Sequence, residues 1–104
     1  MGKAKKLAQK KPHPVTYNAA TDRVTAKPLV LIICPARELA VQIFDEARRL
    51  CYRSMLRPVV IYGGTPLRQN VEELGRGCDI LIATTGRLIA MLDKPGVLSL
   101  ANVK

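Results

Sequence analysis

A chain of 104 residues has room for one domain at most, and this one carries a formal net charge of +9 with a pI near 10.0. Its longest apolar run, residues 29–34, is too short to cross a bilayer, and no apolar stretch follows the basic amino terminus. These features exclude a transmembrane span and a secretory signal peptide, so we expect a cytoplasmic or nuclear protein with no membrane partner.

Residues 1–27 are predicted to form a basic, disordered tail. They contain seven Lys or Arg residues and one acidic residue, Asp22, and they therefore carry +6 of the net charge. With few large apolar side chains, such a segment buries too little surface to order itself. It is either a solvated extension or an arm that binds nucleic acid. Residues 28–104 are predicted to form the folded part.

The three cysteines, Cys34, Cys51 and Cys78, are widely spaced and odd in number. There is no Cys-x-x-Cys pair, and His13 is the single histidine, so neither a disulfide framework nor a zinc site is expected. We predict three buried, free thiols and no metal site.

The first predicted unit is a strand followed by a helix. The aliphatic run at residues 29–33 is typical of a parallel strand that is covered on both faces. From Arg37 to about Met55, apolar residues recur at steps of three, four and one, which predicts an amphipathic helix. Arg57-Pro58 is predicted to stop this helix, because the residue before a proline disfavours helical backbone.

The second unit begins with a predicted strand at residues 59–62. Gly63-Gly64 then allows the backbone to turn where a side chain would collide with anything lying close above it. Thr65 is predicted to be the N-cap of the next helix and Pro66 its first residue.

A third strand is predicted at residues 80–83, with Thr84 as the N-cap of the helix that follows it. Because strand–helix–strand crossovers are right-handed, the carboxyl ends of parallel strands meet at one edge of the sheet, where α/β sheets bind ligands. Helix starts present backbone N–H groups and positive dipole ends. Together with Arg37, Arg68 and Arg87, they favour a polyanion as the ligand.

Three segments resemble motifs Ia, GG and Ib of the DEAD-box ATP-dependent RNA helicases in order and spacing. They are Pro35-Ala36-Arg37-Glu38-Leu39-Ala40, Gly63-Gly64 and Thr84-Thr85-Gly86-Arg87-Leu88. Residues 45–54, followed by Arg57-Pro58, resemble the subfamily that acts in translation initiation. The resemblance covers about residues 28–104 and implies an α/β fold, an incomplete RecA-like parallel sheet of about three strands alternating with helices.

The resemblance implies that RNA is the partner and that one strand is held by its sugar-phosphate backbone, without base reading. Arg37 would then pair with a phosphate, Gly64 would let RNA approach the main chain, and Thr84 with Arg87 would bind the next phosphate. The RNA-binding residues expected on this basis are Pro35, Ala36, Arg37, Gly63, Gly64, Arg68, Thr84, Thr85, Gly86 and Arg87.

Two residues depart from the family pattern, in which Thr usually stands at the position of Ala36 and Pro at that of Thr85. Both changes fall at helix starts. Ala36 lacks a hydroxyl that could cap a helix or meet a phosphate, and Thr85 lacks the preset backbone angle of proline. We therefore expect weaker RNA binding than in an intact relative.

The intact family uses ATP and magnesium, but residues 1–104 contain no Gly-x-x-x-x-Gly-Lys-Ser/Thr loop and no DEAD motif. The pair Asp45-Glu46 is predicted in mid-helix, whereas a pair that holds magnesium should follow a buried strand. The second RecA-like domain is also missing from these residues. We expect no catalytic residue, no cofactor site and no ATP hydrolysis by this chain alone.

Three functions remain open: an RNA-binding fragment of a helicase, a non-catalytic basic RNA-binding protein, and a gene remnant without activity. A sheet of three strands leaves strand edges without neighbours, and such edges pair with other chains. We therefore expect self-association, or a partner that completes the sheet.

Overall fold

The computed structural model describes residues 23–104, in which three strands alternate with three helices. The elements are β1 (Val30–Cys34), α1 (Arg37–Leu50), β2 (Pro58–Ile61), α2 (Leu67–Gly75), β3 (Ile80–Thr84) and α3 (Thr85–Leu92). This alternation confirms the predicted α/β fold class.

The three strands form one parallel sheet in the order β1-β3-β2. The last strand of the three therefore lies in the centre, and Leu81, Ile82 and Ala83 are fully buried there. Leu81 and Ala83 contact one half of the core and Ile82 the other, as expected when successive side chains of a strand alternate between faces.

Helices cover both faces of the sheet. α1 packs on one face through Ala40 and Ala47. α2 and α3 pack on the opposite face through Leu74, Leu88 and Met91. Apolar stripes along all three helices are thereby buried against aliphatic strands, and the molecule has three layers.

The prediction that the first strand is covered on both faces is wrong. Val30 and Ile33 are 46% and 54% exposed. The reason is position in the sheet, because β1 pairs only with β3 among the described strands and lies at one edge. A continuous aliphatic run does not distinguish a central strand from an edge strand.

The helix predicted from Arg37 to about Met55 ends earlier, at Leu50. Cys51 is its C-cap and is buried, whereas Leu50 is 84% exposed and Tyr52 is also exposed. Beyond Cys51 the chain continues in turns, and the Ser54 hydroxyl donates a hydrogen bond to the carbonyl of Cys51. The helix stops where its apolar stripe no longer meets the sheet.

Thr65 is not the N-cap of α2, contrary to the prediction. The N-cap is Pro66, with extended ψ, and the first helical residue is Leu67. The Thr65 hydroxyl instead donates to the carbonyl of Tyr62 at 3.1 Å. Its side chain therefore closes the loop before the helix. Thr84 does occupy the N-cap position of α3, although its side chain makes no capping hydrogen bond.

The folded part begins before residue 28, the predicted start of the domain. Val24 donates its N–H to Gly75, and Ala26 forms a parallel bridge with Leu98 and is fully buried. These backbone hydrogen bonds order a segment whose composition alone indicates disorder. The rest of the predicted tail, residues 1–22 with His13, lies outside the described residues.

All three cysteines are buried and free, as predicted. Burial raises the pKa of the Cys78 thiol to about 12, and the neighbouring Asp79 carboxylate acts in the same direction. Because the thiolate is the reactive form, Cys78 is an inert core residue at neutral pH.

Candidate nucleic-acid interface

Three segments of the chain meet at the carboxyl edge of the sheet. In the parallel register Cys34 lies beside Thr84, and Ile61 lies beside Ala83, so all three strands end at the same level. The segments at these strand ends are residues 35–37, 62–65 and 84–87, which include the first residues of α1 and α3, and we call them together the carboxyl rim. The structure thus brings together the three motifs that are far apart in sequence.

Arg37 links the first of these segments to the second. It is the exposed first residue of α1, and its guanidinium carbon lies 5.8 Å from the centre of the Tyr62 ring, within the range of a cation–π contact. A Cβ atom built on Gly64 would lie 3.2 Å from Nη1 of Arg37. The Arg37 side chain therefore lies directly beside the main chain of the Gly-Gly loop.

The glycines of the rim leave main chain open. Gly64 has a φ of +94°, a left-handed conformation that L side chains rarely adopt. A Cβ on Gly63 or on Gly86 would meet no atom within 4 Å. Space above both residues is therefore open to a ligand that approaches the backbone closely.

Arg87 is turned inward, unlike Arg37. Its Nη1 donates to the carbonyl of Thr65 at 3.0 Å and to Oδ1 of Asn70 at 2.6 Å. Asn70 lies on α2 and is only 5% exposed. Asn70 was not predicted as a site residue from the sequence. A signal was present, since this polar residue interrupts the apolar stripe of Leu67, Val71 and Leu74.

Of the remaining predicted residues, Pro35, Ala36 and Thr85 belong to the rim, and Arg68 follows its second segment in sequence. Arg68 is the exposed second residue of α2, and Pro35, Ala36 and Thr85 are exposed as well. No side-chain capping bond occupies the first backbone N–H groups of α1 or of α3. Two helix N-termini, with the positive ends of their dipoles, therefore lie at the edge where the arginines are found.

The acidic pair that could resemble a magnesium site is engaged in ion pairs on the surface of α1. Asp45 and Glu46 lie in the middle of α1, where they pair with Arg48 at 3.6 Å and Arg49 at 3.1 Å. Residues 23–104 contain no group of three side chains able to hold a metal ion. Within the same range, no helix combines the length and apolar character that crossing a membrane requires.

The sequence model of the DEAD/DEAH box helicase family matches residues 14–104. The chain belongs to this family. Among solved structures, it is similar to the yeast DEAD-box splicing factor Prp28, with a TM-score of 0.70 and 34% sequence identity over 76% of this chain. The match spans 18% of the Prp28 chain. The family match begins at residue 14, which is earlier than the expected start of the resemblance at about residue 28.

Proposed function

We propose that this DEAD-box chain binds single-stranded RNA by its sugar-phosphate backbone, as the RNA-gripping part of a first RecA-like domain. The observation that carries the proposal is the convergence of motifs Ia, GG and Ib at the carboxyl rim. Arginines, main-chain amides and helix N-termini contact phosphates without reading bases. The proposed binding is therefore independent of base sequence.

Arg37 is the proposed principal phosphate ligand. Its guanidinium is exposed and stacked beside Tyr62, which limits the conformations it samples before binding. A planar guanidinium can donate two parallel hydrogen bonds to one phosphate group. Gly63 and Gly64 beside it would let the same strand pass close to the main chain.

The N-terminus of α3 is the proposed second contact. Thr84 and Thr85 offer hydroxyls there, Gly86 leaves open space, and the helix dipole favours an anion. Arg68, at the start of α2, adds a further exposed positive charge. The rim thus offers contacts to successive phosphates along one strand.

We propose no ATP-linked activity for residues 1–104, because their sequence contains no Gly-x-x-x-x-Gly-Lys-Ser/Thr loop and no DEAD motif. The translation-initiation subfamily is a hypothesis that depends on residues 45–54 and Arg57-Pro58. Prp28, by contrast, is described as a splicing factor. A cytoplasmic or nuclear location remains a separate prediction from the sequence. No observation favours the alternatives of a non-catalytic basic protein or a gene remnant.

Fluorescence anisotropy with a labelled oligouridylate tests the proposal on the full chain. We expect salt-sensitive binding that is weakened by Arg37→Gln, with a decrease of about 0.7 in the slope of log affinity against log salt. Arg48→Gln removes the same charge from the outer surface of α1 and is the matched control. If both variants bind as the unmodified chain does, the rim is not the RNA site. Neutralising the five lysines at positions 3, 5, 6, 10 and 11 separately measures the contribution of the tail.

A further inference from the structure

We propose that Arg87 and Asn70 form a clamp that holds the Gly-Gly loop in place, so that Arg87 positions the rim instead of binding phosphate. The inference deepens the proposed function and depends on it for the RNA measurements below. It rests on two hydrogen bonds from one guanidinium nitrogen and on the burial of the amide that accepts one of them.

The two acceptors account for both N–H groups of Nη1. An arginine carries five N–H donors, two of them on each terminal nitrogen. Nη1 of Arg87 gives one to the Thr65 carbonyl and the other to Asn70 Oδ1. The end-on fork, in which both terminal nitrogens grip one phosphate, is therefore occupied from within the protein.

Release of Arg87 toward a phosphate would be costly. The Asn70 side chain is buried, and its Oδ1 would lose a charge-assisted hydrogen bond of 2.6 Å. A buried acceptor left without its partner bears the full penalty of desolvation. Arg87 is thereby held toward α2, whereas Arg37 lies exposed above the loop.

The clamp acts on the loop through Thr65. The carbonyl of Thr65 accepts from Arg87, while its hydroxyl donates to Tyr62 and closes the turn. Gly63 and Gly64 lie between these two points and offer no side chains of their own for packing. Arg87 therefore joins the loop after β2 to the start of α3, and Asn70 fixes the direction of its guanidinium.

The first measurement needs no RNA. Backbone ¹⁵N relaxation of Gly63 and Gly64 in the full chain reports the order of the loop directly. We expect both Arg87→Met and Asn70→Leu to lower the order parameters of these two amides from about 0.85 to below about 0.6. The double variant should show no further loss, because the two residues act as one unit.

Conservative variants separate positioning from general instability. Asn70→Asp keeps the oxygen that accepts from Arg87 and should preserve the order of the loop. Gln69→Leu, at the exposed neighbouring position of α2, should have no effect. If Asn70→Leu does not fold, Arg87→Lys provides the same comparison, since lysine keeps the charge and loses the guanidinium fork. Unchanged loop order in either clamp variant would overturn the proposal.

The second measurement distinguishes a positioning residue from a phosphate ligand. We expect Arg87→Met to weaken oligouridylate binding about tenfold with the salt slope unchanged. Arg37→Gln should reduce the slope by about 0.7. A similar fall in slope for Arg87→Met would show that Arg87 binds phosphate and that the clamp proposal is wrong. If the unmodified chain binds no RNA, the proposed function fails, while loop order still decides whether the clamp exists.

Discussion

At the scale of single residues, the neighbours Gly63 and Gly64 differ sharply in what surrounds them. Gly64 has a positive φ and lies beside the Arg37 guanidinium, whereas Gly63 faces open space. The two glycines therefore have different structural roles. Only Gly64 is required by backbone conformation, and only Gly64 determines how closely Arg37 lies to the loop.

We predict that Gly64→Ala lowers the free energy of unfolding by about 1 kcal/mol, because an L side chain at this φ is strained. The new methyl group would also displace Arg37 Nη1, which lies 3.2 Å from its position. Urea unfolding measures the first effect, and oligouridylate affinity the second. Gly63→Ala is the control for the unfolding measurement, and it should change the free energy of unfolding little, because its Cβ would meet no atom within 4 Å. Equal losses of stability in the two variants would contradict the assignment of strain to Gly64.

The two arginines of the rim show that residue type and motif do not predict the direction of a side chain. Arg37 and Arg87 both follow a strand and both occupy a family motif, so the sequence assigns them the same chemistry. Arg87 is nonetheless turned inward by Asn70, which is seventeen residues away in sequence. Its direction depends on how α2 packs beside α3, and local pattern does not contain that information.

At the scale of elements, α1 begins without a side-chain cap. Ala36 has the extended backbone of an N-cap, with φ of −138° and ψ of 150°, but its methyl group accepts no hydrogen bond. The first turn therefore leaves backbone N–H groups without the acceptor that Ser, Thr, Asp or Asn would supply.

We predict that Ala36→Thr raises the free energy of unfolding by about 1 kcal/mol, since its hydroxyl can accept from the second or third helical N–H. Urea denaturation at neutral pH measures the change. Ala36→Val has almost the same shape without the hydroxyl, and it should give no gain. A gain of similar size in both variants would mean that packing, and not capping, is responsible.

The sequence pattern located the beginning of α1 better than its end. The apolar stripe of α1 is visible from Arg37 onward, yet the helix ends five residues before the predicted position. Arg57, which lies between α1 and β2, shows why local patterns are insufficient in this region. Its main chain and guanidinium bond to the Asp79 carboxylate, the Gly77 carbonyl and the Glu73 carboxylate, at 2.7, 2.8 and 2.6 Å. These long-range hydrogen bonds fix the position at which β2 begins. The local sequence does not predict them.

At the scale of the whole molecule, β1 presents an exposed apolar edge. Val30 and Ile33 are about half exposed, and the strand has one neighbour in the described sheet. Leu50 and Tyr52 form a second exposed apolar group at the end of α1. Exposed strand edges and apolar groups both promote association between chains.

We predict that the purified chain self-associates through β1, and that Ile33→Lys shifts it toward the monomer in sedimentation velocity. A lysine on an edge strand opposes pairing with another chain, because its charge would have to be buried. Leu50→Lys adds the same charge away from β1 and is the control. If Leu50→Lys disperses the chain and Ile33→Lys does not, association occurs through the end of α1. A monomeric unmodified chain would contradict the prediction.

The amino-acid sequence alone determined the alternation of strands and helices, the burial of the cysteines and membership of the helicase family. These depend on hydrophobic period, turn residues and motif order, which are local properties of the chain. Tertiary structure alone decided that β1 is an edge, that Val24 and Ala26 join the fold, and that Arg87 faces Asn70. Each of these depends on contacts between segments that are distant in sequence. Such contacts contribute to the free energy of folding only when the layers have packed together.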